Sequence, residues 1–166
     1  ARAFVEPPKP IPTSFARQAF FAVTAFKFTS AAGASRFGRF RLRPEAGTEF
    51  LTAEEAQKKS ADFLAAELSA RLAAGPVRFQ VAVQLAEEGD PVADATAVWP
   101  DTRPEVEFGT LAITERVDEL SPEMRKVIFD PVPRVDGIES AGDPLTEVRS
   151  DIYLASGRRR RAAAAE

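Results

Sequence analysis

The sequence contains neither cysteine nor histidine, and both absences exclude chemistry. Without cysteine, the 166-residue chain cannot form disulfides, thiolate metal sites or a catalytic thiol. Without histidine, it lacks the usual general base near neutral pH, the commonest metal ligand and the base of a standard serine triad. No apolar run approaches the roughly 20 residues of a membrane-spanning helix. Carboxylates, hydroxyls, lysines, arginines and a single tyrosine remain as the groups that can carry chemistry.

The composition is that of a folded domain with mixed charge. The chain is 45% hydrophobic with 13 phenylalanines, enough for one core. Its 22 basic and 25 acidic residues are spread along the chain, so no nucleic-acid partner is expected. The first residues lack the charged-then-apolar order of a signal peptide, which favours a cytoplasmic location. The chain does not begin with methionine, which suggests trimming or a piece of something longer.

Alternating patterns predict an α+β chain with antiparallel strands. The predicted strands are residues 20–28, 36–43, 76–87 and 105–115. The first two are joined by a hairpin loop with Gly33 at its turn. In the second strand Arg39, Arg41 and Arg43 share one face, which we expect to be solvated or to meet an anion.

Helix signals occur at three places. Thr52 and Glu55 have capping-box spacing and open a helical insertion over 52–75, with a break near residues 60–62. A short helix is predicted to start at Ser121, and a last helix over 143–157 to end at Gly157.

The chain is thereby divided into three parts. Residues 1–19 are predicted to form a proline-rich extended arm, because four prolines fall within 5–13. Residues 20–157 are predicted to form the folded part, and 158–166 a basic, alanine-rich tail.

The last predicted helix carries the only tyrosine. Arg149 and Tyr153 stand at i and i+4, so their side chains can meet, and Asp143 precedes the first turn. A guanidinium beside a phenol favours the phenolate, which can be an axial ligand of haem iron. Spacing alone favours a simpler interpretation, in which Tyr153 packs its ring against the sheet and Arg149 is solvated.

Several segments, in order and spacing, resemble the C-terminal part of the catalase-related haem protein superfamily. They are VWPDTRPEVEFGTLAIT (98–114), FDPVPRVDGIE (129–139) and DPLTEVRSDIYLASGRRR (143–160). Upstream, residues 20–47 are similar to the family's barrel hairpin, and 51–91 to its helical insertion and the following strand. The small bacterial catalase-family peroxidases are the most similar members.

The resemblance implies a fold and a set of roles. The fold would be an antiparallel β-barrel of the catalase type, about half of it in this chain, with surface helices and a proximal helix below the haem. Tyr153 matches the axial ligand of haem b, Arg149 the guanidinium that holds it as phenolate, and Asp143 the carboxylate behind that arginine. Arg160 matches an arginine near a haem propionate, with Arg159 as second choice.

The sequence departs from the family on the other face of the haem. In the family a distal histidine and an asparagine from the N-terminal half help to break the O–O bond of hydrogen peroxide or organic hydroperoxides. This chain has no histidine and matches only the second half, so no catalytic residue is assigned to it.

Three interpretations remain open at this point. The chain is part of a haem enzyme whose distal side comes from another chain or an N-terminal segment. Alternatively, it is a non-enzymatic haem or hydrophobic-ligand binder completed by self-association into a homo-oligomer, or a haem-free structural module. A bound haem separates the last from the other two, and a partner that supplies a histidine separates the first from the second.

Overall fold

The computed structural model describes residues 9–118 and 121–163. The strands are β1 (Phe20–Phe21), β2 (Phe26–Thr29), β3 (Ser35–Pro44), β4 (Val77–Leu85), β5 (Glu105–Ile113) and β6 (Ile138–Ser140). The helices are α1 (Ala53–Gln57), α2 (Phe63–Ala74), α3 (Pro122–Lys126) and α4 (Pro144–Ala163), with a 3-10 turn at Phe15–Arg17. The six strands form one sheet in the order β5-β4-β3-β2-β6, and β1 pairs with β3.

The predicted hairpin and strands are present with two differences. β2 and β3 pair antiparallel from Phe26 opposite Gly38 to Thr29 opposite Ser35, and Gly33 takes a positive φ of 82° in the turn. The strand predicted over 20–28 is broken into β1 and β2. Residues 138–140, which lie outside the predicted strands and helices, form β6 against β2.

The local signals at the start of the first two predicted helices are confirmed. The Thr52 side chain accepts from the Glu55 N–H, and the Glu55 side chain accepts from the Thr52 N–H, which completes the capping box of α1. The helical insertion breaks into α1 and α2 as predicted, and the Ser121 hydroxyl accepts from the Met124 N–H at the start of α3.

The chain divides into two compact units. The first comprises described residues within 9–20, 42–81 and 109–116. Its core consists of Ala16, Val77 and Phe79, and it is extended by partly buried side chains of Leu42, Leu68, Leu72 and Ile113. Ser14 and Ala16 are buried, so this stretch differs from the extended arm expected over residues 1–19, of which 1–8 lie outside the described residues.

The second unit comprises residues 21–41, 82–108 and the described residues from 117 onward. Four phenylalanine rings form a cluster in it, with centroids 5.4–6.1 Å apart between neighbours: Phe26, Phe28, Phe40 and Phe108. Phe108 is nevertheless 54% exposed, and Val106 on the same strand is 46% exposed. One side of this aromatic cluster therefore lacks cover within the described residues.

The prediction that the arginines of β3 face solvent or an anion is wrong for Arg39. Its side chain is only 4% exposed and lies over the Trp99 ring, 4.1 Å from guanidinium carbon to ring centroid. The guanidinium donates to the carbonyl oxygens of Ala97 and Asp94 instead of meeting solvent or an anion. The Arg39 guanidinium is therefore surrounded by backbone carbonyl groups of a loop that is distant in the sequence.

The last helix is longer than predicted. α4 runs to Ala163, so neither an end at Gly157 nor a separate tail from residue 158 is observed. Gly157 is buried, and a Cβ atom there would lie 2.4 Å from Cγ1 of Ile128. This glycine permits close approach of the loop before it, instead of ending the helix.

The sheet is open in the described part of the chain, with β5 and β6 as its ends, so a closed barrel is not observed there. Within the same residues no helix is both long and apolar enough to cross a membrane.

Arg103 joins the chain after β4 to the chain before β5. Its guanidinium makes two bonds to the Asp90 carboxylate, of 2.8 and 2.9 Å, and a third to Glu87. The Arg103 guanidinium first, and then the Glu87 N–H, hold the pKa of Asp90 below its ordinary value. Stabilisation from this carboxylate is therefore complete above its unfolded pKa and is lost as pH falls through the lowered folded pKa.

We expect Asp90→Asn to lower the melting temperature at neutral pH, because it removes a charge-assisted bidentate contact. The difference from wild type should stay constant down to about pH 5 and shrink below about pH 4, where the wild-type carboxylate also becomes protonated. Thermal melts across pH measure this, with the exposed Asp101→Asn as control. A difference that does not change with pH would contradict the assignment.

Gly157→Ala should lower the free energy of unfolding by about 1–2 kcal/mol, since the clash with Ile128 exceeds the gain in helix propensity. In an Ile128→Ala background the same change should be neutral or stabilising by up to about 1 kcal/mol. Urea unfolding of the four proteins measures the coupling. An equal cost in both backgrounds would indicate a backbone effect at Gly157 instead of close packing.

Candidate functional site

Helix α4 brings Arg149 and Tyr153 together. The Arg149 Nη2 donates to the Tyr153 hydroxyl oxygen at 3.2 Å, and its guanidinium carbon lies 5.5 Å from the ring centroid. The contact follows from helical spacing, because residues four apart are neighbours on one face. Tyr153 is half-buried and Arg149 is exposed, so the phenol is held at the surface of the second unit.

Arg149 and Tyr153 line a cleft of about 590 Å³. Its walls come from α4 and from the loop after α3, and its lining residues are Phe129, Asp130, Pro131, Arg149, Tyr153, Ser156 and Arg160. Phe129 is 69% exposed and stands at the rim. The cleft therefore combines an aromatic ring, a phenol and two guanidinium groups.

Asp130 fastens that loop to the helix. Its Oδ1 accepts from the Ser150 hydroxyl at 2.8 Å and from the Val132 N–H at 2.9 Å, while Oδ2 accepts from Arg134. The Val132 N–H first, then the Ser150 hydroxyl, hold the pKa of Asp130 below its ordinary value, and Arg134 adds to this. Asp130 therefore stays ionised at neutral pH and links the two walls of the cleft.

Asp143 lies at the start of α4 but contacts the backbone. Its carboxylate is buried, with Oδ1 accepting from the Leu145 N–H at 2.9 Å and Oδ2 from the Ala95 N–H at 2.8 Å. The described hydrogen bonds of Asp143 are thus to amides, whereas the Arg149 guanidinium bonds to Tyr153. Asp143 caps the helix and joins it to the loop that contains Ala95.

The continuous helix distinguishes the two candidate arginines. At about 100° per residue, Arg160 lies roughly 20° from the direction of Tyr153, and Arg159 roughly 120° away. Arg160 lines the cleft and donates to the Val127 carbonyl oxygen at 2.9 Å. Arg159 is exposed and does not line it.

Sequence reasoning missed the contributions of Asp130 and Ser150. The i,i+4 spacing of Asp130 and Arg134 was a local signal for an ion pair, but the contact with Ser150 joins residues 20 apart and has no local signature. No group of three or more histidine, cysteine, aspartate or glutamate side chains suited to a metal ion occurs in the part of the chain that the structure describes.

Known solved structures share this fold. A fungal catalase superposes with a TM-score of 0.77 over 90% of this chain and 32% of its own, at 23% identity. Catalase A from Saccharomyces cerevisiae gives a TM-score of 0.76 over 90% of this chain and 33% of its own, at 22% identity.

Sequence relatives point to the same family. A catalase-related peroxidase of Mycolicibacterium paratuberculosis is 40% identical over 146 residues, 88% of this chain and 46% of the relative. Another from Synechococcus elongatus is 33% identical, over 87% of this chain and 43% of the relative. The chain thus spans less than half the length of these curated relatives. Since the family model for catalase matches residues 3–166, the chain belongs to the catalase family.

Proposed function

We propose that this chain is the haem-binding part of a catalase-family peroxidase that acts on hydrogen peroxide or organic hydroperoxides. Haem b is held through the Tyr153 oxygen, and a further segment supplies the distal side. The hydrogen bond from Arg149 to the Tyr153 oxygen carries this proposal, because it places a cationic donor against the oxygen that would bind iron as a phenolate.

The donor set fits a haem. Tyr153 offers one phenol oxygen as an iron ligand, and the neighbouring cleft has the aromatic wall of Phe129 for a macrocycle. A guanidinium carries five N–H donors, so the bond from Arg160 to Val127 leaves others for a propionate. Arg160 is therefore preferred over Arg159 for this role. When bound, haem supplies the redox chemistry on the peroxide O–O bond.

The chain's own residues would act on the proximal side only. Arg149 donates a hydrogen bond to the Tyr153 oxygen, Asp130 holds the loop wall against α4 through Ser150, and Asp143 fixes the first turn of the helix. None of these groups is placed to move a proton on peroxide, and the sequence contains no histidine to do so.

Two observations favour completion by a further segment. The phenylalanine cluster of the second unit is uncovered at Phe108, and β5 and β6 are sheet ends without a neighbouring strand among the described residues. Unpaired strand edges and exposed aromatic rings are costly unless another strand or layer covers them. The relatives are more than twice as long as the matched region, which is consistent with such a segment.

Tyr153→Phe should abolish haem binding while leaving the fold intact, since only one oxygen is removed and the ring stays. Titration with hemin, followed by absorption, measures this: wild type should give a sharp Soret band with the charge-transfer features of tyrosinate-ligated ferric haem. Asp151→Asn, at an exposed residue of α4 outside the cleft lining, is the control and should bind as wild type does. Retained haem with an unchanged spectrum in the phenylalanine variant would contradict the ligand assignment.

The hemin-loaded chain alone should turn over peroxide at least about 100-fold more slowly than the full-length Mycolicibacterium paratuberculosis relative, because general acid–base help of about 10²–10⁴-fold is absent. Steady-state rates at equal haem concentration measure the difference. Equal rates would contradict the need for a further segment.

A further inference from the structure

Two buried side chains, Arg39 and Asp143, hold loop 94–97 by hydrogen bonds to its backbone. On one side, Arg39 donates from Nη1 to the Ala97 carbonyl oxygen at 2.8 Å and from Nη2 to the Asp94 carbonyl oxygen at 3.1 Å. On the other, Asp143 accepts from the Ala95 N–H at 2.8 Å. Arg39 is 4% exposed and Asp143 is 2% exposed. All these atoms belong to the second unit.

Asp143 also bonds to the first turn of helix α4. The second carboxylate oxygen of Asp143 accepts from the Leu145 N–H, and its carbonyl oxygen accepts from the Thr146 N–H at 3.0 Å. The first turn of the helix is therefore fixed to loop 94–97 through one residue. Because an α-helix is stiff over a few turns, a shift of the first turn carries over to Arg149 and Tyr153.

Stability alone is a weak reason for an arginine at position 39. Its Nε is buried and has no hydrogen-bond partner among the residues that the structure describes, and burial together with the charge of Arg41 lowers the pKa of Arg39. Burial of a charged group carries a large desolvation cost, so a buried guanidinium is by itself weak evidence of a gain in stability. What an apolar side chain cannot do is hold two carbonyl groups at a fixed spacing, as the planar guanidinium does here.

Trp99 limits where the guanidinium can lie. Its ring stacks against Arg39, and its indole N–H donates to the Pro91 carbonyl oxygen at 3.1 Å, which anchors the ring to the start of the same loop region. The stack and the two carbonyl bonds together restrict the orientation of the Arg39 side chain.

We propose that Arg39 is a positioning residue for the Tyr153 site: it fixes loop 94–97, and through Ala95 and Asp143 it sets the first turn of α4 and hence the placement of the Arg149–Tyr153 pair. The meaning of this placement rests on the proposed haem function. The mechanical link itself does not depend on haem and can be measured without it.

The test compares Arg39→Met, Arg39→Lys and the control Arg36→Met, an exposed arginine on the same strand. Hydrogen exchange of the haem-free chain, followed by mass spectrometry, is measured for segments 94–97, 144–150 and 77–85. In Arg39→Met the first two should exchange about tenfold faster or more, while 77–85 stays as in wild type, since two charge-assisted bonds are lost locally. Arg39→Lys should be intermediate, and the control unchanged.

Hemin binding then tests whether the contact from Arg39 to α4 affects the Tyr153 site. Arg39→Met should bind hemin at least about tenfold more weakly than wild type and with altered tyrosinate charge-transfer bands, a change in coordination that simple loss of stability does not produce. If Arg39→Met fails to fold, Arg39→Lys is judged by the same criteria.

Two results would overturn the proposal: unchanged exchange in segment 144–150 of a folded variant, or faster exchange spread equally over 77–85. If the wild-type chain binds no hemin but the local exchange effect is present, the haem function fails and the link from Arg39 to α4 stands.

Discussion

The buried carboxylate of Asp143 joins helix α4 to loop 94–97, and the position of the candidate site depends on that junction. A buried carboxylate is tolerated only when its oxygens are hydrogen-bonded, and here both accept backbone N–H groups, from Ala95 and Leu145. One bond belongs to the loop and the other to the helix, so satisfying the charge also fixes the two segments to each other. A second junction, from Asp130 to Ser150, fastens the cleft loop further along the same helix.

Features set by neighbouring residues could be predicted from the sequence. The Thr52 capping box, the Gly33 turn and the i,i+4 contact of Arg149 with Tyr153 each involve residues a few positions apart, and the structure contains all three. Long-range contacts decided the rest. Gly157 has the composition signal of a helix end, yet Ile128 packs against it and the helix continues to Ala163.

Arg39 illustrates the same limit inside a strand. Alternation correctly places it on one face of β3, but the pattern cannot say what covers that face, and a loop more than 50 residues away supplies the carbonyl oxygens. Likewise, family resemblance pairs Asp143 with Arg149, whereas its described bonds are to amides of the backbone. Continuity of α4 favours Arg160 over Arg159, a distinction that depends on a helix extending past Gly157.

The exposure of Arg149 bears on how the proposed site would work. An ion pair between a guanidinium and a phenolate is weak in water and grows stronger as the local dielectric constant falls. In the described chain Arg149 is exposed and Phe129 stands 69% exposed at the cleft rim, so water reaches the pair. A haem over the cleft and a covering segment would remove that water. Loss of that water would strengthen the contact on which the proposed iron ligand depends, because charges attract more strongly where the local dielectric constant is low.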